Sequence, residues 1–266
     1  MVEGGLTIIG NFNKTGKTGF PLISIITVVY NSQKLIEGTI NSVLSQSYSN
    51  IEHIIIDGNS KDGTIEILKR YNDKIAYWQS ESDKGLYDAM NKGLAKASGD
   101  YICFLNSGDK LYDNKTLEKA FHGLDPLPDI VYGETMIVDT DGNEIGLRRL
   151  KAPETLTWKS FQDGMVVCHQ SIYIKRELAA QYQLKYKIAA DFEWVLAALK
   201  KAKSITNSNL ILTRFLDGGM NKQNIKNGLM DRFKIMSHYY GFLPTLLRHS
   251  LIGVKFFWYW FRNKRF

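Results

Sequence analysis

Four short runs rich in β-branched residues, at 22–29, 51–57, 75–79 and 101–105, recur at intervals of about 25 residues. Between them, 35–44, 64–71 and 87–97 repeat their apolar residues at helical spacing. Strands alternating with amphipathic helices in this way specify βαβ units on a parallel sheet, because a parallel neighbour can be reached only through a crossover. In such a sheet ligands bind beyond the carboxyl ends of the strands. The polar residues falling there are Tyr30 and Asn31, Asp57, Glu81 and Asp83, and Asn106 to Asp109.

After Asp109 the rhythm changes. Residues 130–138 and 144–147 flank Asp139-Thr140-Asp141-Gly142, the pattern of a hairpin. A further strand is expected over 166–174, a helix over 189–201 and a strand over 210–215, followed by a break at Gly218-Gly219. No repeat or Pro-rich linker separates the halves, so the expectation is one unit with a tail. Apolar residues at 44% and charged residues at 23% exclude a disordered or disulfide-scaffolded chain. There is no apolar run of about 18 residues and no basic flank ahead of an N-terminal apolar run, so neither a membrane span nor an export signal is expected. Cys103 and Cys168 sit in apolar segments and suit buried, reduced thiols in a cytoplasmic chain.

The net charge of +7 is uneven. Residues 201–266 carry twelve Lys/Arg against Asp217 and Asp231, a net +10, which leaves the first 200 residues at −3. That distribution argues against a nucleic-acid-coating protein and for one local anionic contact. The run from Gly10 to Gly16-Lys17-Thr18 looks like a phosphate loop, but it has five residues between its glycines where the motif needs four, and Pro21 blocks the helix that should follow. Residues 1–20 are therefore expected to be a flexible basic extension.

Three segments carry candidate chemistry. In Ile56-Asp57-Gly58-Asn59-Ser60-Lys61-Asp62-Gly63, a carboxylate leaving a buried strand either accepts a base N–H or ribose hydroxyl or merely ties down its own turn, while Asp62 caps a helix. Asp83 lies in Ser80-Glu81-Ser82-Asp83-Lys84-Gly85, and Asn106-Ser107-Gly108-Asp109 follows the last strand of the series. Oxygen donors at that strand end suit a hard divalent cation bridging a diphosphate.

Read as an ordered set, SIITVVYN, IDGNSKDGT and SESDKGLYDAMNKGLAKASGDYICFLNSGD resemble the family 2 glycosyltransferases, inverting enzymes of the GT-A fold that use nucleotide sugars. CHQSIYIKREL and YKIAADFEWVL resemble the acceptor half of the branch that builds bacterial surface polysaccharides. The resemblance covers about 21–220, dividing into a nucleotide-sugar half, 21–110, and an acceptor half, 111–220, and leaves 221–266 as a basic helical tail. It implies an α/β Rossmann-like, mostly parallel sheet. It also implies that Thr27, Tyr30 and Asn31 line the nucleotide pocket, that Asp57 binds the base, that Asp83 contacts the nucleoside, and that Asn106, Ser107 and Asp109 occupy the metal loop. That loop usually has acids at the places of Asn106 and Gly108; here Asp109 is its only charge. Mn²⁺ or Mg²⁺ is still expected, completed by the donor's phosphates and water.

An inverting transfer needs a base opposite the leaving diphosphate. Asp191, at the start of a helix, matches the family's base; its plain alternative is a helix N-terminal carboxylate, and Glu193 is the runner-up. His169 is expected either to touch the donor's phosphates or sugar or to be structural. Residues 244–266 read as an amphipathic helix whose Arg248, Lys255 and Arg262 fall on one stripe, suited to an anionic bilayer surface or to packing on the body or a second subunit. The expected activity is transfer of a hexosyl or N-acetylhexosaminyl unit from a nucleotide sugar, UDP-linked by preference, to a saccharide acceptor, lipid-linked, at the inner face of a bacterial membrane. The alternative is a non-catalytic nucleotide-sugar-binding partner.

Overall fold

A computed structural model describes residues 1–218 and 224–250. Strand β1 (Val2–Gly4) precedes the series β2 (Ile23–Val29), α1 (Gln33–Leu44), β3 (Ile51–Asp57), α2 (Thr64–Arg70), β4 (Tyr77–Ser80), α3 (Leu86–Lys96) and β5 (Tyr101–Phe104). There follow β6 (Lys110–Leu111), α4 (Thr116–Phe121), the hairpin β7 (Ile130–Val138) and β8 (Glu144–Leu147), β9 (Ile172–Lys175), α5 (Ala190–Lys201), β10 (Ile205–Leu216) and α6 (Ile225–Tyr240).

One sheet runs in the order β1-β4-β3-β2-β5-β9-β7-β10-β6, with β8 on β7. It is parallel through β4-β3-β2-β5 and mixed beyond, where β9 runs antiparallel to both β5 and β7. β2 and β3 are buried at every position. Their Ile/Val-rich sequences suit strands covered on both faces, and the buried polar residues among them pair with each other, Ser24 with Glu52 and Thr27 with His53. The chain builds β2, β3 and β4 outward in one direction, then returns to place β5 on the other side of β2. That reversal opens a crevice between the ends of β2 and β5.

Three expectations are corrected. The stretch 166–174 is not one strand: His169–Ser171 is a 3₁₀ turn, and only Ile172–Lys175 is extended. Val167, Cys168 and Gln170 are all buried, so the segment lacks the alternation that separates a strand from a buried turn. Residues 1–20 are not a loose extension. β1 pairs antiparallel with β4, Leu6 and Thr7 N–H donate to the Ile75 and Ala76 carbonyls at 2.9 Å each, and Lys14 Nζ donates to Ser49 O at 2.8 Å. Gly16 lies against the Asp100 carboxylate, an acidic neighbour unsuited to phosphate.

The division at 220 also moves. α6 packs on α5, Asp231 Oδ2 accepts the Ile188 N–H at 2.9 Å, and Tyr240 stacks on Trp158 with ring centroids 5.2 Å apart. The helix is therefore part of the body. Residues 242–250 are helical too, with Thr245 buried and Arg248 Nη1 2.7 Å from Asp163 Oδ1, which is the packing alternative for that part of the tail. Lys255 and Arg262 lie outside the described residues.

Candidate active site

Beyond the ends of β2 and β5 lies a cleft of about 620 Å³, walled by Val28 to Tyr30, Asn106 to Asp109, the Cys168–Gln170 turn, Tyr87 on α3 and Asp191 on α5. The parallel register sets Val29, Asp57 and Ser80 side by side, so the loops after β2, β3 and β4 leave from one edge.

Asp57 does not reach the cleft as a free acceptor. It is fully buried; Oδ2 accepts Ser60 N–H at 2.9 Å and Ser80 Oγ–H at 2.6 Å, and Oδ1 accepts the Ser60 hydroxyl. Ser60 Oγ in turn accepts the Asn31 N–H at 2.7 Å, and Asn31 Oδ1 accepts the Lys61 N–H at 2.9 Å. Asn31 therefore joins two loops from a left-handed backbone (φ 46°), which asparagine tolerates better than most side chains. Thr27 is also displaced from the nucleotide pocket. Fully buried inside β2, it bonds His53 Nε2 at 3.0 Å, and burial pushes His53 down to about 3, so the pair is neutral core.

Tyr30 does line the cleft, with its ring largely exposed. Beside it, Asp83 Oδ1 accepts the Gly85 N–H at 2.8 Å while Oδ2 overhangs Gly58, where a Cβ would come within 2.6 Å. Only glycine at 58 leaves that carboxylate beside the Tyr30 ring.

On the β5 side Ser107 Oγ donates to Ser32 Oγ at 2.8 Å. Asp109 accepts Leu216 N–H on Oδ1 and Gln170 Nε2 on Oδ2, each at 3.0 Å, and burial raises its pKa to about 6 against the opposing pull of those donors. Asn106 Oδ1 is buried without a partner. An orphaned amide oxygen and a carboxylate on one wall fit a hard cation with two protein ligands, the rest left to phosphate and water. Among the described residues no three His, Cys, Asp or Glu side chains group as a closed metal site.

Near that wall stands the pair Asp191 and His169, whose neighbour Gln170 is the donor to Asp109. Asp191 Oδ2 is 3.3 Å from His169 Nδ1, while Oδ1 accepts Tyr87 OH at 3.2 Å and Phe192 N–H at 2.9 Å. Burial alone would raise the Asp191 pKa. The hydrogen bond and charge of His169, the Phe192 N–H and the Arg232 charge more than offset it and hold the carboxyl below its ordinary value. Glu193 instead accepts Tyr239 OH at 2.9 Å.

Sequence reasoning missed Arg148, Lys187 and Arg232, which bring cations to the cleft. Arg148 Nη1 and Arg232 Nε are buried without a hydrogen-bond partner in the described structure, the condition of donors shaped for an anion. Tyr87 and Gln170 were missed as well, although each adjoins a motif already singled out.

A mostly parallel sheet with a crevice at its reversal, lined by three cations and a buried Asp–His pair, is the arrangement of an α/β protein whose ligands sit beyond the strand ends. The model of Glycosyl transferase family 2 matches residues 24–182, and the chain belongs to that family. An uncharacterised glycosyltransferase of Mycobacterium tuberculosis (strain CDC 1551) is 36% identical over 71% of this chain and 73% of its own. The putative teichuronic acid biosynthesis glycosyltransferase TuaG of Bacillus subtilis (strain 168) is 31% identical over 73% and 79%. Among solved structures, S. aureus TarS 1-349 in complex with UDP-GlcNAc superposes with a TM-score of 0.65 at 20% identity, over 80% of this chain and 64% of that one. The chain spans 38% of the longer TarS chain. The mannosyltransferase PcManGT of Pyrobaculum calidifontis, with GDP-Man and Mn²⁺, gives 0.59 at 14%, over 88% and 75%. At those identities the shared property is the GT-A type fold.

Proposed function

We propose that this protein is an inverting glycosyltransferase that moves a hexosyl or N-acetylhexosaminyl unit from a nucleoside-diphosphate sugar, UDP-linked by preference, to a saccharide acceptor. The observation carrying the reading is that the buried Asp191–His169 pair shares one cleft with Arg148 and Arg232 and with Asn106 and Asp109. Inversion needs a proton acceptor on one side of the sugar and charge neutralisation of the leaving diphosphate on the other.

Tyr30 and Asp83 hold the nucleoside at the rim, and Arg148, Lys187 and Arg232 take the diphosphate. Asn106 and Asp109 would hold a divalent cation, which when bound adds positive charge to the leaving phosphates. Tyr87 and the Phe192 N–H keep Asp191 in place. The wall from Met165 to Cys168 shields the reacting centre from water. Asp57, Asn31 and Ser60 act one layer back by holding the donor loops in register. The name of the TuaG relative, a putative teichuronic acid biosynthesis glycosyltransferase, supports an acceptor in a bacterial surface polysaccharide; in this reading the acceptor is carried on a lipid and the enzyme lies on the inner membrane face. A screen of UDP-, GDP- and dTDP-sugars for binding and for acceptor-dependent release of the nucleoside diphosphate tests the reading; binding without release would leave a nucleotide-sugar-binding partner instead.

A further inference from the structure

We propose that the acceptor carries an anionic group, a carboxylate or a phosphate, close to the hydroxyl that is glycosylated, and that Arg232, with Lys187 at the rim, recognises it. The inference rests on the transferase reading above and names the chemical class of that reading's acceptor.

The hydroxyl that attacks must lie within reach of the base, so whatever flanks Asp191 faces the acceptor as well as the reacting carbon. What flanks it is the segment 187–191 and the helix that grips it. The Tyr87 hydroxyl bridges the segment from one side, 2.8 Å from Ile188 O and 3.2 Å from Asp191 Oδ1. From the other side α6 closes on the same residue. Asp231 accepts the Ile188 N–H, and Gly228 comes so near that a Cβ there would stand 3.3 Å from Ile188 Cγ2. The residue after Asp231 is Arg232, which lines the cleft together with Lys187, Ile188 and Asp191. Its charge is one of those that hold the Asp191 carboxyl low. Lys187 is exposed, at the mouth of the same wall.

Arg232 is half-buried, and its Nε is buried without a hydrogen-bond partner in the described structure. A guanidinium that served only to balance Asp191 would bond to it. The oxygens of that carboxylate are instead taken by Tyr87 OH, the Phe192 N–H and the His169 ring. The Arg232 fork is left for a ligand, and its planar set of N–H donors matches a carboxylate or a phosphate. A neutral sugar hydroxyl compensates a partly desolvated guanidinium less well than a charged oxygen does. In an inverting transfer the diphosphate leaves on the face of the sugar away from the attack. A cation set beside the base therefore meets the acceptor, whatever it also adds to the field around the diphosphate.

The test measures kcat/KM for matched acceptors that differ in charge: glucosides against glucuronides and galactosides against galacturonides, with the corresponding sugar phosphates as a third arm, each with a panel of UDP-, GDP- and dTDP-sugars. No acceptor-dependent release of nucleoside diphosphate from any combination would reject the transferase reading itself. Given release, acidic acceptors should exceed their neutral counterparts by about 10- to 100-fold, the factor that one hydrogen bond to a charged group supplies. Preference between the uronides and the phosphates then identifies the source of the anion. In Arg232→Gln the ratio of acidic to neutral acceptors should fall to within about threefold of unity, and Arg232→Lys, which keeps the charge and loses the fork, should retain part of it. Both members of a pair use the same donor, so any contribution of Arg232 to diphosphate binding cancels in the ratio. Equal use of acidic and neutral acceptors by the wild type, or a ratio that Arg232→Gln leaves unchanged, would overturn the proposal. Should Arg232→Gln not fold, a wild-type preference for acidic acceptors that shrinks as ionic strength rises would sustain it, and a preference indifferent to salt would overturn it.

Discussion

Asp57 illustrates how a single residue can keep its importance while changing its role. With three donors on a fully buried carboxylate, Asp57→Ala strands Ser80 Oγ–H and two groups of Ser60. Breaking such a buried charged network costs about 3 to 5 kcal/mol, so denaturant unfolding should show a loss of that order together with weaker donor binding. A near-neutral change would return Asp57 to the role of a surface turn. Asp191→Asn should fold and bind donor yet lose about 10² to 10⁴ in turnover, because the amide cannot take the acceptor's proton; near-wild-type transfer by the purified variant would refute this. Asp109 carries a pH signature. Its folded pKa, raised to about 6 by burial, exceeds the ordinary value of about 3.9, so the native state binds the extra proton. Stability should therefore fall as pH rises from about 4 to about 6, by at most roughly 2 to 3 kcal/mol. Without added divalent cation, Asp109→Asn should flatten that window in unfolding titrations at pH 4, 5, 6 and 7.

At the level of elements, β2 through α3 were legible because short runs rich in β-branched residues alternated with segments that kept 3.6-residue apolar stripes. The same logic failed at 166–174. There apolar cover on all sides hid a 3₁₀ turn, and the turn is what brings His169 and Gln170 into the cleft. Asp191 was found because its segment resembles the family's acceptor half and an inverting transfer needs a base, whereas Arg232 was not, since a basic residue in a charged helix ordinarily reads as a solvated face. α6 thereby becomes a working part of the enzyme, supplying Asp231 to the Ile188 N–H and Arg232 to the cleft. Ending the chain before residue 224 should abolish cooperative unfolding and donor binding. Ending it after 250 should leave both within a few degrees of Tm of wild type, as read by calorimetry. Equal behaviour of the two truncations would detach α6 from the site.

Across the whole molecule the charge is segregated, +10 in 201–266 against −3 before it. Exposed Phe242, Leu243, Leu246 and Leu247 lie in that same region. No helix among the described residues is long and apolar enough to cross a membrane. Surface attachment to an anionic bilayer, at about 1 kcal/mol per nearby Lys/Arg, should give co-sedimentation with acidic liposomes that high salt partly reverses. Equal pelleting with neutral and acidic vesicles would exclude a charge-driven contact.

The margins of the sheet are short: three residues in β1, two in β6 and four in β8. β1 covers the outer side of β4 and leaves it little template for another chain to add a strand, so β1 acts as a guard against self-assembly at that margin. Its removal would bare the Tyr77–Ser80 flank, a change that concerns solubility rather than chemistry, and that bears on where a fusion partner can be joined without opening the flank.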